Sequence, residues 1–461
     1  MKDMSGYLKE YIRSSIKRDF KSSENIKGFH KEKMSVYNLK PLNMTSTFER
    51  MPFISAEISG FEILSARMFL DGKEVCPLIS NFRMEYKPLE PMDFGEHKVQ
   101  IEMEDIYGNI KKLEWGFIVQ DREAKYNFYF GVPHCHTSYS DGRGRPYDAC
   151  AHVRKNNLDY IIIADHSNFL DGVMNNNYEY DKERDEYVER KGSRWYKTRK
   201  EIEKINRIYD GFLAIRAFEM SSSRWGHINV IGSETYVEAN RQAMDINKFF
   251  AWLKKQRNIA VVINHPHKHF KYINYMEDMD GIINLIEVAN GAPPRKYRRL
   301  EEHYYRMLDM GWHLGAVNGQ DNHRANWGDN DNLTVILAKE LNKDAFIEAL
   351  RNRRTYSTET RNLKLYFKAN GFYMGSIIGL NEGDKINFNI NAQDERVPIK
   401  KIQLISNGGR VIDEIRFKGD NNVRWNPVLK AQRDRTWYVV KVTHINGRQG
   451  ISSPVFIKFN S

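Results

Sequence analysis

Hydrophobic positions along the 461-residue chain follow two textures. From about residue 40 to 123, and again from about 362 to 460, apolar and polar residues alternate over short runs. "FISAEISG", "SARMFLDGKEV" and "HKVQIEMEDIYGNIKKLEWGFIV" are examples in the first region; "LKLYFKANG", "KINFNINAQ" and "TWYVVKVTHINGRQGISSPVFIKF" are examples in the second. Period-two alternation puts successive side chains on opposite faces of a strand, and the Asp-Gly and Gly-Asn pairs between runs suit tight turns. Both regions predict small antiparallel β-sandwiches. From about 126 to 358 the texture changes. Apolar, β-rich runs alternate there with helix-like segments such as "YDACAHVRKNN", "YKTRKEIEKINRIYD" and "DINKFFAWLKKQRN". Strand–helix alternation predicts βαβ units and a largely parallel sheet or barrel. Residues 1–39 form a charged leader, read as a short basic amphipathic helix with irregular flanks, with a surface anchor as the alternative.

The strand-like runs of the middle region share a second property. "NFYFGV" leads to His134 and His136, "DYIIIA" to Asp165 and His166, "FLAIRAF" to Glu219, "AVVIN" to His265, and "HLGAVNGQ" to Asp321 and His323. In a parallel α/β barrel the C-terminal strand ends open onto one face. Residues distant in sequence then converge on one pocket. His134 and His136, at i and i+2 on a strand, face the same way, while Cys135 faces the other. Two adjacent imidazoles can grip one cation, and mixed imidazole and carboxylate donors suit Zn, Mn or Fe. One such pair alone is a weak signal. Repeated at successive strand ends, it predicts metal binding. His152, His303 and His313, on helix-like or peripheral stretches, read as structural, and Cys135 as a small buried residue.

Composition narrows the class. Hydrophobic residues make up 41%, the mean hydropathy is −0.65, and no stretch approaches the roughly 20 apolar residues of a membrane span. The start of the chain lacks the apolar core of a secretory signal. Three cysteines, Cys76, Cys135 and Cys150, with no CxxC, fit a reducing, cytoplasmic setting and exclude a thiolate zinc site. The net charge of +11 favours small anionic partners. The Lys and Arg residues are dispersed rather than striped, which disfavours nucleic acid. Oligomeric state is left open.

The stretches "HCHTSYSDGRG", "ADHSNFLDG", "FEMSSSRWGHINVIG", "INHPH" and "NGQDNH" resemble, in order, the motifs of the PHP (polymerase and histidinol phosphatase) superfamily. Within it they most resemble the carbaryl-hydrolase-like CehA/McbA metallohydrolases. The resemblance implies a distorted (β/α)7 barrel over 126–358, flanked by an N-terminal Ig-like β-sandwich (40–123) and a C-terminal β-sandwich (362–461). It also implies two or three divalent ions, Zn, Mn or Fe. One would be held by His134, His136, Glu219 and Asp321. Glu219 would bridge to a second, shared with His227 and His265. Asp141, His166 and His323 would hold the third. The sequence departs from the family pattern at Gly131-Val132-Pro133, where Gly-Asp-Leu is common, and at Ala164-Asp165-His166, where Thr-Asp-His is usual. Neither change removes a ligand; the first removes an acidic residue that could orient one.

Such a set implies hydrolysis. Two cations about 3.5–4 Å apart share a water, lower its pKa and neutralise charge on a phosphoryl or acyl oxygen. The bridging hydroxide is then the nucleophile, and no Ser or Cys is required. Neither a GxSxG elbow nor a GxxxxGK[ST] phosphate loop is present. The catalytic acid–base candidates are Asp165, read first as a brace for a metal-bound imidazole, and His267. Arg143, Arg145, Lys268 and Arg324 follow metal motifs closely and are the candidate substrate-binding cations. Trp225 and Trp327 are cleft wall or core, and Arg354 is a docking residue or an exposed turn. The expected activity is that of a phosphoesterase acting on a small phosphorylated substrate. The alternatives are a carboxyl-ester, carbamate or amide hydrolase and, in another class, a non-catalytic polymer- or protein-binding module.

Overall fold

A computed structural model describes residues 35–59, 63–80, 82–105, 108–170, 178–181, 186–189, 192–237, 245–266, 273–292 and 295–460. Most of the leader expected over 1–39 lies outside these; its end is a strand, Ser35–Lys40. The chain divides into two compact units, Met1–Arg122 with Lys458–Ser461, and Glu123–Ile457. No helix of the described residues is long and apolar enough to cross a membrane.

The larger unit is built on seven strands: β1 (Asn127–Cys135), β2 (Tyr160–His166), β3 (Leu213–Ser222), β4 (Gly226–Ile231), β5 (Ala260–Asn264), β6 (Ile283–Asn290) and β7 (Gly315–Gly319). Each pairs with the next along this order, and all pairs are parallel except those of β4, which is antiparallel to both neighbours. The circuit closes where the chain leaving β7 bonds back to β1: Asp321 N donates to His134 O and His136 N to Asn322 O, both at 3.0 Å. Cys135 and Asn322 form a parallel bridge there.

Alternation sorts the side chains of this ring. Tyr160, Ile162 and Ala164 of β2 join the interior cluster with Leu213, Ile215 and Val317. Ile161 and Ile163 face outward, against Ala149, Cys150 and Val153 of helix Pro146–Lys155 and Ile202 and Ile205 of helix Arg194–Ile208. Both helices overlap segments expected to be helical, starting one and two residues before them. The first begins at Pro146, whose fixed φ suits a first helical turn, and Ser193 caps the second by accepting from Tyr196 N at 3.0 Å. Helix Lys343–Arg351 inserts Phe346, Ile347 and Leu350 among Tyr160, Leu213 and Ala260, the first residues of β2, β3 and β5. Each such burial is worth about 1.5–3 kcal/mol, more than the about 1 kcal/mol of its Asn342 cap, so packing decides where this helix sits. It closes the N-terminal end of the ring with apolar groups and leaves the C-terminal end to polar ones.

The sheet continues past the ring. β1 pairs antiparallel with strand Leu333–Ala338, and that with Thr355–Thr358, which pairs in turn with Gln449–Ser452. Hydrogen-bonded strands therefore cross the boundary expected near 358–362. The C-terminal strands form this extension and a second sheet of five strands around Lys364–Ala369 and Lys385–Gln393. In the smaller unit a four-stranded and a five-stranded sheet share one core. Ile54, Ala56, Ile58 and Met84 of the first meet Met68, Val99, Ile101, Met103, Trp115 and Phe117 of the second. This is a β-sandwich, and strand Gly95–Asp105 shows the period-two burial its sequence predicts.

Candidate metal centre

The site is set by a one-residue irregularity in β1. Val132 pairs with Ile161 of β2, but Cys135 pairs with Ile163, so three residues of β1 span two of its neighbour. Val132 and Cys135 both belong to the outer cluster. Regular alternation from Val132 would turn His134 outward; the bulge turns His134 and His136 to the inside. Pro133 sits in the bulge, where the sheet needs no N–H from it. β4 solves a similar problem. Running antiparallel, it presents its first residues at the C-terminal ends of its neighbours, and His227 lies opposite Ser221 and Asn264.

Nine side chains meet at this end: His134, His136, Asp141, His166, Glu219, His227, His265, Asp321 and His323. His134 Nε2 and His136 Nε2 are 3.1 Å apart. Asp321 Oδ1 lies 3.1 Å from His136 Nε2 and 3.7 Å from His134 Nε2, and Glu219 approaches each imidazole to 3.5 Å. Four donors around one ion at bond lengths of about 2.0–2.2 Å stand about 3.3–3.5 Å from one another, so this spacing fits a shared cation. His227 Nδ1 and His265 Nε2 lie 3.2 and 3.4 Å from Glu219 Oε1. Asp141 Oδ1 is 3.2 Å from His323 Nε2 and 3.6 Å from His166 Nε2. Ligand atoms lie within 4.8 Å of one another in three overlapping groups: His134, His136 and Glu219; His166, Glu219 and His227; and His136, Asp141, His166 and His323. Glu219 Oε2 and His323 Nε2 are buried and meet other members of the cluster, His166 Nδ1 at 2.7 Å and Asp141 Oδ1 at 3.2 Å, contacts that a shared metal ion would replace. The donor set is nitrogen and carboxylate oxygen, without thiolate, and suits Zn, Mn or Fe. Two of the residues, His265 (φ 27°) and Asp321 (φ 52°), hold left-handed backbone, strain of the kind that gathers at functional sites.

Burial opposes charge at His134, His136, Glu219 and Asp321, and pairing overrides it at all of these but His136. His134 is pushed up to about 10 because Glu287, Glu219 and Asp321 outweigh its desolvation. Desolvation prevails at His136, lowering it to about 3. Against burial, His227, His134 and His166 hold Glu219 well below the usual carboxylate range, and His136 and His134 do the same for Asp321. The cluster is a set of mutually compensating charges, poised for cations.

The other sequence candidates have different places. Asp165 does not reach the cavity. Its oxygens accept from Thr137 N (2.7 Å), Thr137 Oγ1 (2.6 Å) and Ser140 Oγ (2.6 Å), and it is 1% exposed. It braces the 137–140 turn between His136 and Asp141 rather than an imidazole. Asp165→Asn is expected to lower stability by about 1–3 kcal/mol, measured by denaturant unfolding, and to weaken the Asp141 end of the cluster. His267 and Lys268 lie outside the described residues. Arg143, Arg145 and Arg324 are not among the residues lining the cavity described below. Trp225 is core, stacked on Phe249, and Trp327 is core too, its Nε1 donating to His136 O at 3.0 Å. Arg354 is buried, pairs with Glu348 and lies over the Tyr126 ring. His152 and His313 pair with Asp329 and Asp280, both at 2.6 Å.

Two residues that contact the cluster escaped the sequence reading. Glu287, buried on β6, accepts from His134 Nδ1 (2.7 Å) through Oε1, and from His265 N (2.6 Å) and Asn290 Nδ2 (2.8 Å) through Oε2. Gly319 faces it so closely that a Cβ there would stand 1.8 Å from Oε1. The apolar run "INLIEVAN" carries one carboxylate three residues before its end, and that was the available signal. The second is Arg295, whose Nη1 lies 2.6 Å from Asp321 Oδ2, the oxygen turned away from the histidines.

A cavity of about 540 Å³ opens over the cluster. His166, Glu219, His227, His265, Asp321 and His323 form its floor, and the cations on its wall are Arg295, Lys296 and Arg298.

No family model matches the chain, and no curated protein matches it. Among solved structures, it is similar to a two-domain protein from Bacteroides vulgatus ATCC 8482 containing a predicted PHP-like metal-dependent phosphoesterase. That similarity has a TM-score of 0.40 and 18% identity, over 71% of this chain and 95% of that one. PsfC from Pseudomonas syringae PB-5123 aligns with a TM-score of 0.33 and 15% identity, over 51% of this chain and 93% of PsfC. Both scores are below 0.5, so neither likeness decides fold or activity.

Proposed function

We propose that the chain is a cytoplasmic, metal-dependent phosphoesterase of the PHP superfamily, similar to the CehA/McbA-like metallohydrolases. Its seven-strand ring is then the (β/α)7 barrel, with two or three Zn, Mn or Fe ions at the C-terminal end. The smaller unit is then the Ig-like domain of that arrangement. The observation that carries this reading is the meeting of nine side chains with N and O donors, drawn from six strand ends, in one cluster, six of them on the floor of one cavity. Such ions, when bound, activate water and neutralise charge on the phosphoryl oxygens.

The chain's own residues do the rest. Glu287 fixes His134 with Nδ1 as the donor, leaving Nε2 as its ligand atom. Glu219 reaches all three groups of donors, held by Asn264 Nδ2 at 2.7 Å. Arg295 neutralises the outer oxygen of Asp321 and stands beside the cavity floor, where a phosphoryl group would arrive. The cationic wall favours a phosphate over a neutral carbamate or carboxyl ester.

The test is turnover of phosphomonoesters, phosphodiesters and aryl carboxyl esters by protein stripped with a chelator and reloaded with Zn, Mn or Fe. Phosphate release in the loaded protein alone, with a rise in Tm on loading, is the expected result. Turnover confined to the carboxyl esters would replace the reading with its closest rival. No turnover and no metal uptake would leave the binding-module reading.

A further inference from the structure

The cavity wall is organised by a two-residue alternation. Between Lys296 and Leu300, the residues lining the cavity are Lys296, Arg298 and Leu300, while Tyr297 and Arg299 face away. Both outward residues end on Glu359. Tyr297 Oη donates to Glu359 Oε1 at 2.9 Å, and Arg299 grips both carboxylate oxygens at 2.7 and 2.6 Å. Tyr297 also accepts from Asn318 Nδ2 at 3.1 Å, next to the strand end that carries Asp321. The segment is thus pinned along one face, and period-two geometry turns the other face to the cavity.

The pinning sorts the charges. Arg299 is neutralised by Glu359 and Arg295 is engaged by Asp321. Lys296 and Arg298 are exposed to the cavity and carry no ion pair among the described residues. The acidic side chains of the lining, Glu219 and Asp321, both belong to the floor. The wall therefore presents two uncompensated cations beside the cluster. A cavity of about 540 Å³ holds a whole small molecule, well beyond one phosphoryl group.

We propose that Lys296 and Arg298 form a second anion subsite, so that the substrate carries a further phosphate or carboxylate besides the phosphoryl group on the cluster. This rests on the phosphoesterase reading for the first group only. The subsite uses no ligand of the cluster, and its recognition is charge pairing at the rim of a cavity, where a guanidinium takes an oxyanion in two hydrogen bonds and an ammonium acts as a point charge.

The test compares three ligands of similar length on the full metal-loaded chain, by calorimetric titration and by steady-state hydrolysis: glycerol 3-phosphate, 3-phosphoglycerate and glycerol 1,3-bisphosphate. Wild type is expected to bind at least one doubly anionic compound about ten-fold more tightly than glycerol 3-phosphate, with the preference shrinking as salt rises. The carboxylate and bisphosphate arms show which second group is taken. In the K296Q/R298Q double variant, checked for an unchanged Tm, the ratio of affinities is expected to collapse towards one. Equal affinities in wild type, or a ratio unchanged in the variant, would overturn the subsite. Hydrolysis without preference would remove the subsite and keep the phosphoesterase. Preference in binding, lost in the variant, with no hydrolysis, would keep the subsite and remove the phosphoesterase.

Discussion

Glu219→Gln is expected to strip more than one equivalent of metal from the purified protein and to cut turnover about a thousand-fold, roughly 4 kcal/mol of transition-state stabilisation. The reason is the reach of one carboxylate. Oε1 lies within 3.5 Å of His134, His227 and His265, and Oε2 lies 3.5 Å from His136 and 2.7 Å from His166. A carboxylate in that position neutralises several imidazole-bound cations at once, and an amide neutralises none. Gln preserves volume and can still accept from Asn264 Nδ2, so the loss is one of charge rather than packing. Elemental analysis against protein concentration, with parallel kinetics, checks it. A variant that keeps its full metal content would mean that Glu219 is a structural partner of the histidines and not a shared ligand.

Glu287 makes the second large effect, through a residue that touches no candidate ion. It is 0% exposed and satisfies three donors, from His134, His265 and Asn290. Glu287→Ala leaves all three in a buried space and removes the partner that favours charge on His134, at a cost of about 3–5 kcal/mol of stability. Glu287→Gln keeps an acceptor for His134 and is expected to fold, with metal affinity lowered about 10–100-fold. The two variants separate the roles. Denaturant unfolding should register the alanine variant most strongly, and competition with a chelator the glutamine variant. A glutamine variant with wild-type affinity would assign Glu287 to folding alone.

Much of the site was legible because strand periodicity and residue chemistry are local. The i, i+2 spacing of His134 and His136 sets them on one face with Cys135 on the other, and Cys135 is buried in the outer cluster. Apolar runs ending in His, Asp or Glu announced which residues share an end of the ring. Local signals could not say which charged groups are already spent. Asp165 looks like a partner for His166 in the sequence, yet its oxygens are filled by Thr137 and Ser140, residues brought to it by β1. Arg143, Arg145 and Arg324 sit nearer to the motifs in sequence than Lys296 and Arg298 do, but the latter line the cavity. Nothing in "RKYRR" distinguishes Arg298 from Arg299 until Glu359, sixty residues on, takes one of them.

By itself the amino-acid order determined the alternation of strands and helices, the β-sandwich patterning of the flanks, and the set of side chains able to hold metal. The tertiary structure alone decided the bulge that turns the two histidines inward, the reversed β4 that brings His227 to the right end, and the pairing of Thr355–Thr358 with Gln449–Ser452 across an expected boundary. The physical reason is one of range. Periodicity and ligand chemistry act within a few residues. Register, strand direction and charge compensation are set by partners tens to hundreds of residues away, which become neighbours only when the ring closes.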